Sequence, residues 1–132
     1  QQMGEYLDEL WNAGIRNVLA LRGDLPPGQK ALDDNENGFC FGSDLVNFVR
    51  KRHDFCIGVA GYPEGHPQCL NLIRDLEYLK LKVDNGAQFV ITQLFFDNTD
   101  FYRWRDNALA LGIKVPLVAG IMPILGVSQI KR

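Results

Sequence analysis

Three times along the chain a helix-like run ends in glycine and an apolar run follows within about five residues: "NAGIRNV" around Gly14, "DNGAQFV" around Gly86 and "ALGIKVP" around Gly112. Glycine carries no Cβ penalty in the left-handed region, so it closes helices, and the same closure used three times marks a repeating unit. That unit is βα. Four short runs rich in β-branched residues, "NVLAL" at 17–21, "CIGVA" at 56–60, "FVITQLFF" at 89–96 and "PLVAGIM" at 116–122, alternate with amphipathic stretches at about 2–13, 43–52, 70–85 and 99–111. Near-continuous apolar strands joined by helices predict an α/β fold, with a parallel sheet covered on both sides.

The strand starts at 17, 56, 89 and 116 lie about 39, 33 and 27 residues apart. Such spacing suits a doubly wound sheet or a (β/α)8 barrel, and periodicity does not separate the two. A whole barrel takes about 250 residues. The 132 residues here hold about four βα units, and "GVSQIKR" at the end reads as the first turn of another helix, so the expectation is part of a larger domain.

Composition narrows the function classes. A formal net charge of -2 offers no diffuse positive field, which argues against nucleic acid as a partner. No apolar run approaches the roughly 18 residues of a membrane span, and "QQMGEYLDEL" lacks the regions of a signal peptide, so a cytoplasmic protein without membrane contact is expected. Cys40, Cys56 and Cys69 are odd in number and contain no C-x-x-C. His66 and Cys69 stand in H-x-x-C spacing, but no second pair completes four zinc ligands, and no metal site is expected.

One stretch interrupts the βα rhythm. Between Asp24 and Phe41 lies "LPPGQKALDDNENGFC", far longer than the usual loop of about 2–6 residues. It reads as a solvated surface segment, with a lid over a site as the sharper alternative.

In parallel α/β architecture ligands bind at the carboxyl ends of the strands, and here those ends are polar: "LRGD", "GYPEGH", "TQ" and "GIMP". Arg22 and Asp24 flank Gly23, which suits either a local salt bridge or a phosphate contact by Arg22 with Asp24 on a polar heterocycle. Tyr62, Glu64 and His66 sit on a turn whose Pro63 and Pro67 lack amide donors and cannot continue a strand. Asp75 and Lys82 are two helical turns apart on one face, which fits a solvated face as well as a site. Gln93, directly after four strand residues, should be largely buried and in need of partners, whether to brace the next strand or to meet a ligand. No G-x-G-x-x-G, Walker loop or G-x-S-x-G occurs, so hydrolytic covalent catalysis is unsupported.

Taken together, "ALRGDLPPG", "VAGYPEGHP", "DLEYLKLKVDNGAQFVITQLFFD" and "VPLVAGIMPI" resemble consecutive blocks of the methylenetetrahydrofolate reductase family, over essentially the whole chain. The resemblance implies a partial (β/α)8 TIM barrel, the middle of a catalytic domain with FAD across the carboxyl ends of its strands. It implies reduction of 5,10-methylenetetrahydrofolate to 5-methyltetrahydrofolate by NADH or NADPH, in one-carbon and methionine metabolism. By motif, Arg22, Ala60, Tyr62, His66, Asp75 and Lys82 correspond to flavin-binding positions. Asp24 corresponds to the catalytic carboxylate that tunes the flavin and contacts the pterin, and Gln93 to the amide that bonds the folate.

The family's first-strand glutamate, which protonates the folate, has no counterpart in these residues. The 132-residue piece by itself is therefore expected to be inactive, and homo-oligomerisation is left to the full-length protein. Two other readings stay open: a non-catalytic interaction module derived from the barrel, and a flavin-free folate-binding methyltransferase barrel.

Overall fold

The structure, a computed structural model, describes residues 2–21, 23, 39, 41–67, 69 and 71–126. Arg22, Asp24, Cys40, nearly all of the long acidic stretch and the expected helix start beyond Gly126 lie outside the described residues.

The elements run α1 (Gln2–Asn12), β1 (Asn17–Ala20), α2 (Gly42–Arg52), β2 (Cys56–Gly61), α3 (Leu72–Asp84), β3 (Phe89–Thr92), α4 (Asn98–Ala110) and β4 (Leu117–Val118). Local chemistry explains the helix boundaries. The Asn71 side chain accepts from the backbone N–H groups of Ile73 and Arg74 and so starts α3 two residues later than expected. Asp97 does the same for α4 through Thr99, and the Asp44 carboxylate of α2 reaches back to the Phe41 N–H.

All four strands are parallel and lie in chain order, β1-β2-β3-β4. A doubly wound sheet reverses its order about the first strand; a barrel does not. Because parallel crossovers share one hand, chain order keeps the crossing helices on one face. That is what the core records: Leu7 of α1, Val46 and Val49 of α2, Leu76 and Leu79 of α3 and Trp104 and Ala108 of α4 form one cluster with Ile57, Val59 and Val90 of the sheet. Each fully buried aliphatic of that cluster contributes roughly 1.5–3 kcal/mol.

The expectation of a sheet covered on both sides is corrected by the same observation. Side chains alternate across a strand, and Leu19 and Val118, on the face away from the cluster, are exposed. This is an arc of a (β/α)8 barrel, with apolar side chains of its inner face exposed among the described residues.

Two strands are shorter than their apolar runs. After Thr92 the Leu94 N–H bonds the Gln93 side chain and the Phe96 N–H bonds the Glu64 carboxylate, so the amides that would extend β3 are taken by side chains. At β4 the Gly120 N–H donates to Thr92 Oγ1 at 2.9 Å instead of joining the ladder. Any Cβ at Gly120 would stand 2.1 Å from the Thr92 carbonyl oxygen, so the close approach requires glycine. Among the described residues no helix is long and apolar enough to cross a membrane.

Candidate functional site

At the carboxyl ends of β1 and β2 the structure holds a cavity of about 480 Å³. Four elements build it. Ala20 and Leu21 come from the end of β1, and Ala60, Tyr62 and His66 from β2 and its following turn. The first residues of α2, Phe41 to Asp44, form one wall, and Asp75, Tyr78 and Lys82 of α3 another.

The turn after β2 is held by its own backbone: the Gly65 N–H donates to the Tyr62 carbonyl at 3.0 Å, around a buried Pro63. Tyr62 and His66 thereby meet edge to face, with centroids 4.6 Å apart. The Lys82 ammonium donates to the Ala60 carbonyl at 3.2 Å, which fixes its head at the strand end.

Asp75 and Lys82 each feel the low polarity of this place. Burial raises the Asp75 carboxyl above its ordinary range, while Lys82 and His66 act in the opposite direction. Burial lowers the Lys82 ammonium, and Asp75 draws it part of the way back. Opposite charges in one poorly solvated cavity, beside the N-terminus of α2, make a place suited to a ligand with both anionic and hydrogen-bonding parts.

A family model described as methylenetetrahydrofolate reductase matches residues 1–132. This chain belongs to the methylenetetrahydrofolate reductase family. Methylenetetrahydrofolate reductase 1 of Schizosaccharomyces pombe is 48% identical over 113 residues, which are 84% of this chain and 19% of that protein. The probable methylenetetrahydrofolate reductase (NADPH) of Caenorhabditis elegans is 44% identical over 130 residues, 97% of this chain and 19% of that protein. The 5,10-methylenetetrahydrofolate reductase of Escherichia coli is 44% identical over 124 residues, 94% of this chain and 40% of that protein. The chain thus spans between about a fifth and two fifths of the length of these reductases.

Of the positions that the resemblance to the reductases singles out, the fold brings Ala60, Tyr62, His66, Asp75 and Lys82 to the one cavity. Arg22 and Asp24 lie outside the described residues. Gln93 stands apart. It was expected to be largely buried, and it is exposed: its backbone N–H continues the sheet to the Gly61 carbonyl at 2.7 Å, and its side-chain oxygen accepts from Leu94 at 3.1 Å. The strand has already ended at Thr92, so the side chain emerges past the sheet rather than within it.

Sequence reasoning missed Tyr78 and the α2 N-terminus as parts of the cavity wall. Tyr78 carried a signal, since it lies three residues after Asp75 and four before Lys82 on the same helical face. For the α2 N-terminus there was none, because the long preceding segment hides where that helix begins in space. Among the described residues no group of three or more His, Cys, Asp or Glu is placed to hold a metal ion.

Proposed function

We propose that this chain is the middle of the catalytic barrel of a methylenetetrahydrofolate reductase, whose parent protein reduces 5,10-methylenetetrahydrofolate to 5-methyltetrahydrofolate with NADH or NADPH in the cytoplasm. The observation that carries the reading is the convergence of Ala60, Tyr62, His66, Asp75 and Lys82 on one cavity at the strand ends. Those residues come from two elements and are up to 22 positions apart, as in the Lys82 contact to Ala60, so their meeting is a property of the fold.

The donor set of the cavity fits FAD. Lys82 and the first amides of α2 offer positive ends to an anionic group, Asp75 accepts from hydroxyl or ring N–H donors, and Tyr62 and His66 provide aromatic surface. FAD bound there supplies the hydride transfer between nicotinamide and folate. The chain's own residues supply the rest. Lys82, held to Ala60, and Asp75 orient the ligand, and Leu21, Phe41 and Leu81 offer it an apolar wall. The Asp24 carboxylate favours positive charge on the substrate, and Gln93 pairs with the folate ring edge.

The test uses the purified parent protein. It should carry the visible absorbance of a flavin and oxidise NADH or NADPH only when methylenetetrahydrofolate is added, yielding methyltetrahydrofolate, and the ratio of kcat/KM with the two nicotinamides identifies the donor. A colourless protein that takes up no FAD and turns over no folate would overturn the assignment in favour of a flavin-free barrel or a binding module.

A further inference from the structure

We propose that Glu64 is a positioning residue that sets the folate-side loop from the cofactor-side loop. The proposal rests on the reading above, in which the cavity takes FAD and Gln93 the folate. Glu64 rides on the turn that supplies Tyr62 and His66 to the cavity, two residues from each. That turn is rigid. Gly65 closes it at φ +92, and a Cβ there would meet Leu72 Cδ2 at 2.7 Å, so the turn lies packed on the first residue of α3.

From this base the Glu64 carboxylate accepts the Phe96 backbone N–H at 2.9 Å, across 32 positions of sequence. A charged acceptor makes this one of the stronger kinds of hydrogen bond. On the other side, β3 ends at Thr92, and the segment from Gln93 to Phe96 keeps one bond to the sheet and needs other anchors. Its first residue bonds the Gly61 carbonyl, and the Phe95 ring stacks on Phe101 of α4, centroids 4.9 Å apart and nearly parallel. Phe101 in turn leans on the buried Trp104. Glu64 is the third anchor, and it comes from the cofactor-side turn. The position of the Gln93 segment is thereby referred to the same turn that presents Tyr62 and His66.

A brace of this kind acts on the folate and not on the flavin, which separates it from a general stabilising contact. The experiment compares the wild-type parent enzyme with Glu64→Ala and Glu64→Gln. Four quantities are measured: FAD content, the rate at which the nicotinamide reduces the flavin, the Kd for methyltetrahydrofolate, and hydrogen exchange of the peptide that contains Phe96. Glu64→Ala should weaken folate binding by about three- to tenfold, the scale of one lost hydrogen bond. Exchange at Phe96 should quicken, and FAD content and the nicotinamide step should stay as in the wild type. Glu64→Gln keeps an oxygen acceptor and should recover most of the folate affinity.

Faster exchange at Phe96 with unchanged folate affinity would show that the bond exists and positions nothing. Loss of FAD or a lower Tm with intact folate binding would make Glu64 a structural strap, and equal loss of folate affinity in Glu64→Gln and Glu64→Ala while exchange at Phe96 in Glu64→Gln stays as in the wild type would assign the effect to charge and not to the bond. Each of these overturns the proposal while an active wild-type flavoenzyme leaves the functional reading standing. A wild-type parent that binds neither FAD nor folate removes both.

Discussion

Asp8 shows how a single carboxylate away from the cavity is used. Arg52 and His53, at the end of α2, both reach it from across the helix layer: Arg52 Nε donates to Oδ1 at 2.8 Å, and His53 Nε2 lies 2.7 Å from the same oxygen. The His53 ring stacks flat on Trp11 at 4.9 Å, and the Arg16 guanidinium lies over the Trp11 ring, 3.9 Å from its centroid. The hydrogen bond from Arg52, then that from His53, hold the Asp8 carboxyl down from 3.8 to about 2. A pKa depressed by folding gives stability that is present above the unfolded value and lost as pH falls through the folded one. Asp8→Asn should therefore lower Tm near neutral pH, and the gap to the wild type should close between about 3.8 and about 2, as read from Tm against pH. The pair is partly exposed, so salt should narrow the gap as well. A gap that stayed constant with pH would mean that the lost contribution was packing and not charge.

At the scale of elements, the three helix–glycine–strand joints are one device. After α1, α3 and α4 the glycine N–H bonds the carbonyl three residues back, and the next N–H bonds the one five residues back, as in Gly112 to Leu109 and Ile113 to Ala108. The glycine takes positive φ, +81 at Gly112, and delivers Ile113 into the core with no accessible surface. A Cβ at Gly112 would come no nearer than 3.8 Å to Lys80 Cε, so Gly112→Ala introduces no clash. What it adds is the left-handed penalty alone, and stability should fall by about 1–2 kcal/mol. Denaturant unfolding would show this as a lower midpoint with unchanged slope. An unaltered midpoint would mean that the joint tolerates a second backbone conformation.

For the molecule as a whole, the governing fact is a sheet with helices on one face. Leu19 and Val118 on the open side are 44% and 47% exposed, and the loops beyond β4 add Ile121 and Leu125 at 86% and 85%. Among the described residues β1 and β4 stand at the edges of the sheet, and an exposed apolar face beside sheet edges favours association. The 132-residue chain by itself should bind the dye ANS, sediment as species larger than a monomer, and keep no stoichiometric FAD through gel filtration. Among the described residues its cavity is walled by β1, β2, α2 and α3, a part of what a whole barrel would supply. A monomeric, dye-silent, yellow chain would show that half the barrel suffices for the cofactor.

The amino-acid sequence by itself determined the βα order, the glycine joints and the polar strand ends, because these depend on hydrogen bonds and periodicities within a turn or two of chain. It also singled out Ala60, Tyr62, His66, Asp75 and Lys82, through motifs a few residues long, and the fold brings them to one cavity. Strand order, and with it the choice of barrel arc over doubly wound sheet, was decided only by the tertiary structure, since pairings such as Val59 with Val90 join residues about thirty apart. The same holds for the end of β3. Gln93 stands after an apolar run that reads as buried strand, yet a carboxylate 32 residues before Phe96 takes the amide that would have extended the ladder, and the side chain of Gln93 emerges into solvent. Local pattern cannot register that competition, because the acceptor that wins it is brought there by the fold.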